Sequence, residues 1–150
     1  MSGDELVVQV EHVLAAPPAR VFRAFADPQL LPRWLTPSPE IAMRVDALDF
    51  REGGAYRFVY TLPDRTEVAI GGIYRTIRPP TRLVFTWIIE PPDEHAGIES
   101  EVSVRIEPAG KGSRLTIRHL GWPITSAADR HHSGWVGAVV RLSPLLEEVP

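Results

Sequence analysis

Few side chains in this sequence can carry acid–base, nucleophilic or metal chemistry. There are five histidines and no cysteine, which excludes thiolate nucleophiles, iron–sulfur clusters and a disulfide scaffold. His119 is the titratable residue of most interest. It alternates with Leu115 and Ile117, a spacing that puts all three on the apolar face of one strand. A hairpin through the Pro108–Gly112 turn would set Val102 opposite it, and a simple register in the next hairpin would bring Phe85 into the same row. A histidine there can orient a ligand or act as general acid or base near neutral pH. It can equally be a hydrogen-bonded histidine at the rim of the core, and no second catalytic group stands beside it.

The other chemical signals are weaker. His131 and His132 are adjacent, so on a helix they point about 100° apart, whereas ligand pairs need i, i+3 or i, i+4 spacing. With no H-E-x-x-H pattern, no metal and no cofactor are expected. Gly110-Lys111-Gly112-Ser113 looks like part of a phosphate loop, but Arg105 stands where its first Gly would be. It is read as a hairpin turn. No G-x-S-x-G elbow is present, so an α/β-hydrolase nucleophile is absent.

These residues need a frame to hold them. Residues 5–14 alternate like a strand. Pro17-Pro18 then opens a helix carrying Val21, Phe22 and Phe25 on one stripe, and Asp27-Pro28 stops it. Leu30, Leu31, Trp34 and Leu35 suggest a second helix, limited by Pro32 to a turn or two. From residue 40 to 121 the period becomes two. Six runs, each with apolar residues on one face, are separated by Gly53-Gly54, Pro63-Asp64-Arg65, Pro79-Pro80, Pro91-Pro92 and Pro108-Ala109-Gly110. Short Pro/Gly loops between alternating runs predict an antiparallel meander. Ser126 and Asp129 resemble a capping box. Trp135, Val139, Leu142 and Leu146 then follow at helical spacing, with an end or kink expected near Ser143 because of Pro144. The predicted fold class is α+β: a curved seven-stranded antiparallel sheet, two short helices after its first strand, and a long C-terminal helix over its apolar face.

Composition bounds the rest. A chain of 150 residues, 44% hydrophobic, has the size of one domain spanning 1–150 with one sizeable core. Fifteen arginines and one lysine are spread along the chain, the formal net charge is −3, and the pI is about 5.9. No clustered basic stripe is present, so a nucleic-acid partner is not expected. No apolar run approaches the ~20 residues that span a bilayer, and the acidic Met1–Glu5 start shows no leader. A cytoplasmic protein, monomeric or homodimeric and without a membrane partner, is expected.

A sheet curved around one helix leaves its middle incompletely filled, and small-molecule pockets are mostly apolar with a few polar groups. The expected lining comes from Tyr56, Phe58 and Tyr60 on one strand, Tyr74 on the next, and Phe85 and Trp87 beyond it. Val102, Val104, Ile117 and His119 would continue it, with Trp135, Val139 and Leu142 facing them from the C-terminal helix. Tyrosine hydroxyls, His119, Ser100 and Arg105 are the candidate polar groups. Arg51-Glu52-Gly53-Gly54 is read as structural, with glycines for the turn and Arg51 for a cap or ion pair.

Several motifs in order along the chain carry a resemblance. They are Val21-Phe22-Arg23-Ala24-Phe25 with Asp27-Pro28 and Trp34, and Asp49-Phe50-Arg51-Glu52-Gly53-Gly54-Ala55-Tyr56. Gly72-Ile73-Tyr74 and the run from Pro79-Pro80 to Thr86-Trp87 follow. The last are Leu115-Thr116-Ile117 with His119-Leu120-Gly121, and Gly134-Trp135 with Val139, Leu142 and Leu145. The chain resembles the heat-shock-protein-90 ATPase activator homologue (AHSA-type) family of the START-like, birch-pollen-allergen-type helix-grip superfamily. It departs from the family at Arg65, where Gly commonly follows Asp, and at Pro144.

The resemblance implies the helix-grip fold. It also implies non-enzymatic binding of a small hydrophobic molecule between the concave sheet and the C-terminal helix. A second implied role is a stress-response or protein-interaction module acting on a heat-shock ATPase. A third is a cyclase or lyase on a polyketide-like substrate, with His119 and a tyrosine as acid and base. One scaffold hosts all three, so the site must decide among them.

Overall fold

In the computed structural model, residues 6–148 are described. The expected leaderless start at Met1–Glu5 and the first residue of the opening strand lie outside the described residues. β1 (Leu6–Leu14) is followed by α1 (Pro18–Ala26) and α2 (Leu31–Trp34). A meander then runs through β2 (Ala42–Leu48), β3 (Ala55–Thr61), β4 (Glu67–Arg78), β5 (Arg82–Ile89), β6 (Ser100–Ala109) and β7 (Gly112–Trp122). α3 (Thr125–Val139) and α4 (Leu142–Glu148) close the chain. The strands form one open antiparallel sheet in the order β1-β7-β6-β5-β4-β3-β2.

Register follows from alternation. A strand half-buried by its sheet cannot slip by one residue without turning its apolar set to water. Val102 lies opposite His119, and Phe85 lies opposite Val102, as the hairpin argument required. Leu115 and Ile117 are wholly buried, with Val104 and Ile106 beside them on the same face. Each such side chain contributes about 1.5–3 kcal/mol relative to leaving it in water.

The first helices pack as their patterns predict. Pro18 occupies the first turn of α1, where its missing N–H has no partner to lose, and Val21, Phe22 and Phe25 are buried. α2 is a single turn. Trp34 is its anchor, fully buried, with its indole N–H donating to the Ala24 carbonyl at 2.9 Å. An edge-to-face contact with Phe25, centroids 4.8 Å apart, locks the pair.

Two local expectations change. Ser126 and Asp129 form no capping box: the N-cap is Ile124, with no side-chain cap. The first helical bond runs from the Ala128 N–H to the Ile124 carbonyl at 3.2 Å, which draws Ser126 into the first turn with its side chain exposed. The C-terminal helix divides at Val140–Arg141, slightly before Ser143. The cause is Pro144: it offers no N–H to the Val140 carbonyl four residues back, and its ring crowds that oxygen. The chain restarts as α4 with Pro144 in the first turn, where proline is tolerated.

The two turn motifs behave differently. Arg51 pairs with Asp49 at 2.9 Å, and Glu52 accepts the Ile77 N–H at 2.9 Å. A Cβ at Gly54 would overlap the Asp49 carbonyl oxygen, so that segment is structural. In the Pro63-Asp64-Arg65 turn, Arg65 adopts φ +73°, the left-handed region that glycine enters without steric cost.

Candidate functional site

A cavity of about 350 Å³ lies between the inner sheet face and α3. Tyr60, Ile70, Trp87 and Ile89 form its sheet wall, and Arg130, His131, Gly134, Trp135 and Ala138 of α3 lie across it. The segment after α2, with Leu35, Thr36 and Pro37, closes a third side. The helix break holds that segment in place. Arg141 donates to the Trp34 carbonyl at 3.1 Å, to the Thr36 carbonyl, and to Thr36 Oγ1 at 2.6 Å. Gly137 lets α3 approach Pro37 closely, since a Cβ there would overlap the Pro37 carbonyl oxygen.

Of the lining residues expected from sequence, Tyr60, Trp87 and Trp135 border this cavity. Tyr56, Tyr74 and Phe85 are buried on the same sheet face but interlock with one another, ring centroids 5.4–5.9 Å apart, and Phe58 lies tilted against Tyr56 at 4.7 Å. Phe50 plugs this group, edge-on to Tyr74 at 4.9 Å. That end of the concave face is filled by protein. Val102, Val104 and Ile117 are fully buried on β6 and β7, as are Val139 on α3 and Leu142 on α4. His119 sits one ring layer behind the cavity, touching Trp87, His131 and Trp135.

The expected polar groups separate in the same way. Arg105 is exposed on the outer face of the sheet opposite Arg82, so it is no cavity residue. Strand alternation carries it to the side away from Val104. Tyr56 spends its hydroxyl on the Thr86 carbonyl at 2.6 Å. Burial raises the Tyr56 and Tyr60 phenols well above their usual range, so both stay protonated. The Tyr60 hydroxyl has no hydrogen-bond partner among the described residues, and the residue lines the cavity.

His119 is wholly buried and its tautomer is dictated by its neighbours. The Trp135 indole N–H lies 3.0 Å from Nδ1. An indole can only donate, so Nδ1 is the acceptor and Nε2 carries the proton. Nε2–H therefore donates to Ser100 Oγ at 2.8 Å, and the Ser100 hydroxyl donates onward to the Trp87 carbonyl at 2.8 Å. Burial pushes the His119 pKa well below its ordinary value, helped by the nearby His131. Neither ring nitrogen remains for a substrate, which is the hydrogen-bonded core histidine of the sequence reading.

His131, weighed from the sequence only as a metal ligand, is the cavity residue that sequence reasoning missed. Its ring stacks on Trp122 with centroids 4.1 Å apart, and its Nδ1–H donates to the Ala127 carbonyl at 2.8 Å. Nε2 is left without a partner among the described residues. Burial lowers its pKa to about 4, with Arg130 and His95 adding to the effect against the Ala127 bond. At the rim, Arg130 grips Asp93 through two bonds of 3.0 and 2.8 Å. Burial raises the Asp93 pKa, but Arg130 and the His95 N–H outweigh it and the carboxyl stays below its usual range. The i, i+4 spacing of His131 and Trp135 could have flagged the histidine. Nothing in the sequence ties Asp93 to Arg130.

No group of three or more metal-capable side chains occurs among the described residues, and no described helix is long and apolar enough to cross a membrane. Crystal structures of similar fold include protein CV1439 of Chromobacterium violaceum, 29% identical, with 94% of this chain and 96% of that one covered at a TM-score of 0.85. Another is the AHSA1 protein of Silicibacter pomeroyi, 25% identical, covering 95% and 99% at 0.83. A solution structure of a protein from Arthrobacter aurescens, 23% identical over 95% and 87%, shares the fold at 0.82. Among curated proteins none matches significantly. The family model described as activator of Hsp90 ATPase homolog 1-like protein matches residues 15–147, and the chain belongs to that family.

Proposed function

We propose that the protein, acting as a single unit, binds one small, mainly apolar molecule in the cavity between β3–β5 and α3. The observation that carries this is the cavity itself. Its volume of about 350 Å³ falls in the range of roughly 300–1,000 Å³ usual for ligand sites. Its walls are aliphatic and aromatic. Tyr60 Oη and His131 Nε2 have no hydrogen-bond partner among the described residues, and the Trp87 indole N–H is unpartnered as well but buried inside the wall. Catalysis through His119 is disfavoured, because both of its ring nitrogens are engaged inside the core.

Native mass spectrometry of freshly purified protein tests the reading. An apolar molecule should travel with the protein and be lost in Gly134→Leu, which fills the cavity from α3. A bare mass for the natural sequence, together with no saturable binding of apolar probes, would sink it.

A second reading is favoured by the family and by one surface feature. Val136 on α3 and Val140 at its C-terminal cap, four residues apart, are 43% and 56% exposed. An interaction module acting on a heat-shock ATPase would use such a face, and would raise that enzyme's turnover on addition. Val136→Asp should abolish the rise if this face is the contact.

A further inference from the structure

Tyr60 Oη and His131 Nε2 are not equivalent, and the difference specifies a ligand. His131 is clamped on three sides: Trp122 stacks on it, His119 meets it edge-on at 5.2 Å, and Trp87 at 6.1 Å. Its Nδ1–H is committed to the Ala127 carbonyl. What it offers the cavity is therefore a fixed lone pair on Nε2. Arg130 is the one cation among the lining residues, and both of its terminal nitrogens are held by Asp93. A carboxylate entering this space would meet the His131 lone pair, an already neutralised guanidinium and, as an accessible free donor, only the neutral Tyr60 hydroxyl. It would lose its hydration without gaining a charged partner.

We infer that the cavity selects an uncharged ligand with an aromatic or alicyclic body and one hydroxyl group, the hydroxyl donating its proton to His131 Nε2. This rests on the cavity-binding reading above and names the ligand class for it. The lowered pKa of His131 is consistent with the geometry, since a neutral imidazole keeps the acceptor available at neutral pH. The ring walls of Trp87, Trp135 and Tyr60 suit a flat apolar body. Tyr60 Oη, able to donate or accept, adapts to a second polar substituent.

Three probes of one shape test the inference: naphthalene, 2-naphthol and 2-naphthoate, titrated against the full chain at pH 7.5 by isothermal calorimetry or tryptophan fluorescence. One hydrogen bond to a buried acceptor corresponds to about tenfold in affinity. 2-Naphthol should bind about tenfold more tightly than naphthalene, and 2-naphthoate should bind no better than naphthalene. In His131→Phe the advantage of 2-naphthol should vanish while naphthalene binding persists. In the unmodified chain the His131 Nε2 nitrogen resonance should move on adding 2-naphthol and stay in place with naphthalene, a readout independent of any variant. Equal binding of naphthalene and 2-naphthol, preference for 2-naphthoate, or a preference that survives in His131→Phe would overturn the ligand class and leave the cavity reading standing. Failure of all three probes to bind would overturn both.

Discussion

The indole N–H of Trp135 on α3 donates to Nδ1 of His119 on β7 at 3.0 Å. This one contact sets the direction of a buried chain that continues through Ser100 to the Trp87 carbonyl. Protonating His119 would place a second N–H against the indole donor, in a site that already disfavours charge. The histidine is a neutral strut between the helix and the sheet, behind the aromatic wall of the cavity.

Stability should therefore fall with acid in a defined window. The unfolded histidine takes up a proton near pH 6.5. His131 does so in the folded state only near about 4, and His119 well below its ordinary value. Between those limits the unfolded state binds more protons, so stability is full above about pH 6.5 and declines as pH drops. The decline approaches 1.4 kcal/mol per pH unit for each histidine as an upper bound. Urea unfolding at pH 7.5, 6.5, 5.5 and 4.5 measures it, and His131→Phe should remove that histidine's share. A flat profile down to pH 4.5 would contradict the neutral pair.

Ser100→Ala should destabilise the protein by about 1–3 kcal/mol. The His119 Nε2–H loses its acceptor in a site where water cannot replace it. The tautomer cannot switch to relieve this, because Trp135 still donates to Nδ1. Thermal unfolding gives the cost, and nitrogen shifts of the His119 ring should show the same tautomer in variant and parent.

Gly134 and Gly137 lie one turn apart and should respond oppositely to alanine. A Cβ at Gly134 meets only the Pro37 side chain at 3.6 Å, an ordinary contact, so the gain in helix propensity of up to about 1 kcal/mol is realised. At Gly137 the new carbon overlaps the Pro37 carbonyl, and the strain of about 1–3 kcal/mol falls on the cavity's closing segment. Paired denaturation curves decide this. A stabilised Gly137→Ala would show that α3 is seated differently.

Arg65→Gly should be neutral or stabilising, by up to about 1 kcal/mol, because φ +73° penalises a side chain and not glycine. The greater freedom of glycine in the unfolded chain offsets part of the gain. Arg65→Val should be clearly worse than either, since branching at Cβ is least compatible with positive φ. Chemical denaturation of the three proteins gives the order, and a Val variant as stable as the parent would refute it.

Much of this frame was legible in advance. The strands appeared as alternating runs punctuated by Pro or Gly turns. The pairing of Val102 with His119 followed from counting residues out from the Gly110 hairpin, with Phe85 added by a simple register in the next one. Those properties are local: they depend on period, on turn chemistry and on pairing between neighbouring strands. The division of the C-terminal helix was half legible. Pro144 announced a break, but its place at Val140–Arg141 follows from the carbonyl four residues earlier.

The composition and pattern of the chain were sufficient for the fold class, the meander, the absence of thiol chemistry and the burial of His119. Tertiary packing decided where the concave face is filled and where it is open. Phe50, on the β2–β3 connection, plugs the end that Tyr56 and Tyr74 would otherwise have lined, whereas Tyr60, Trp87 and Trp135 border the space that remains. It also decided which histidine matters to that space. His119 is consumed by Trp135 and Ser100, which approach it from other elements, and His131 keeps a free nitrogen because Trp122 and Ala127 fix its other contacts. Volume and unmet hydrogen bonds depend on several elements meeting at one point, and no periodicity along a single strand or helix records them.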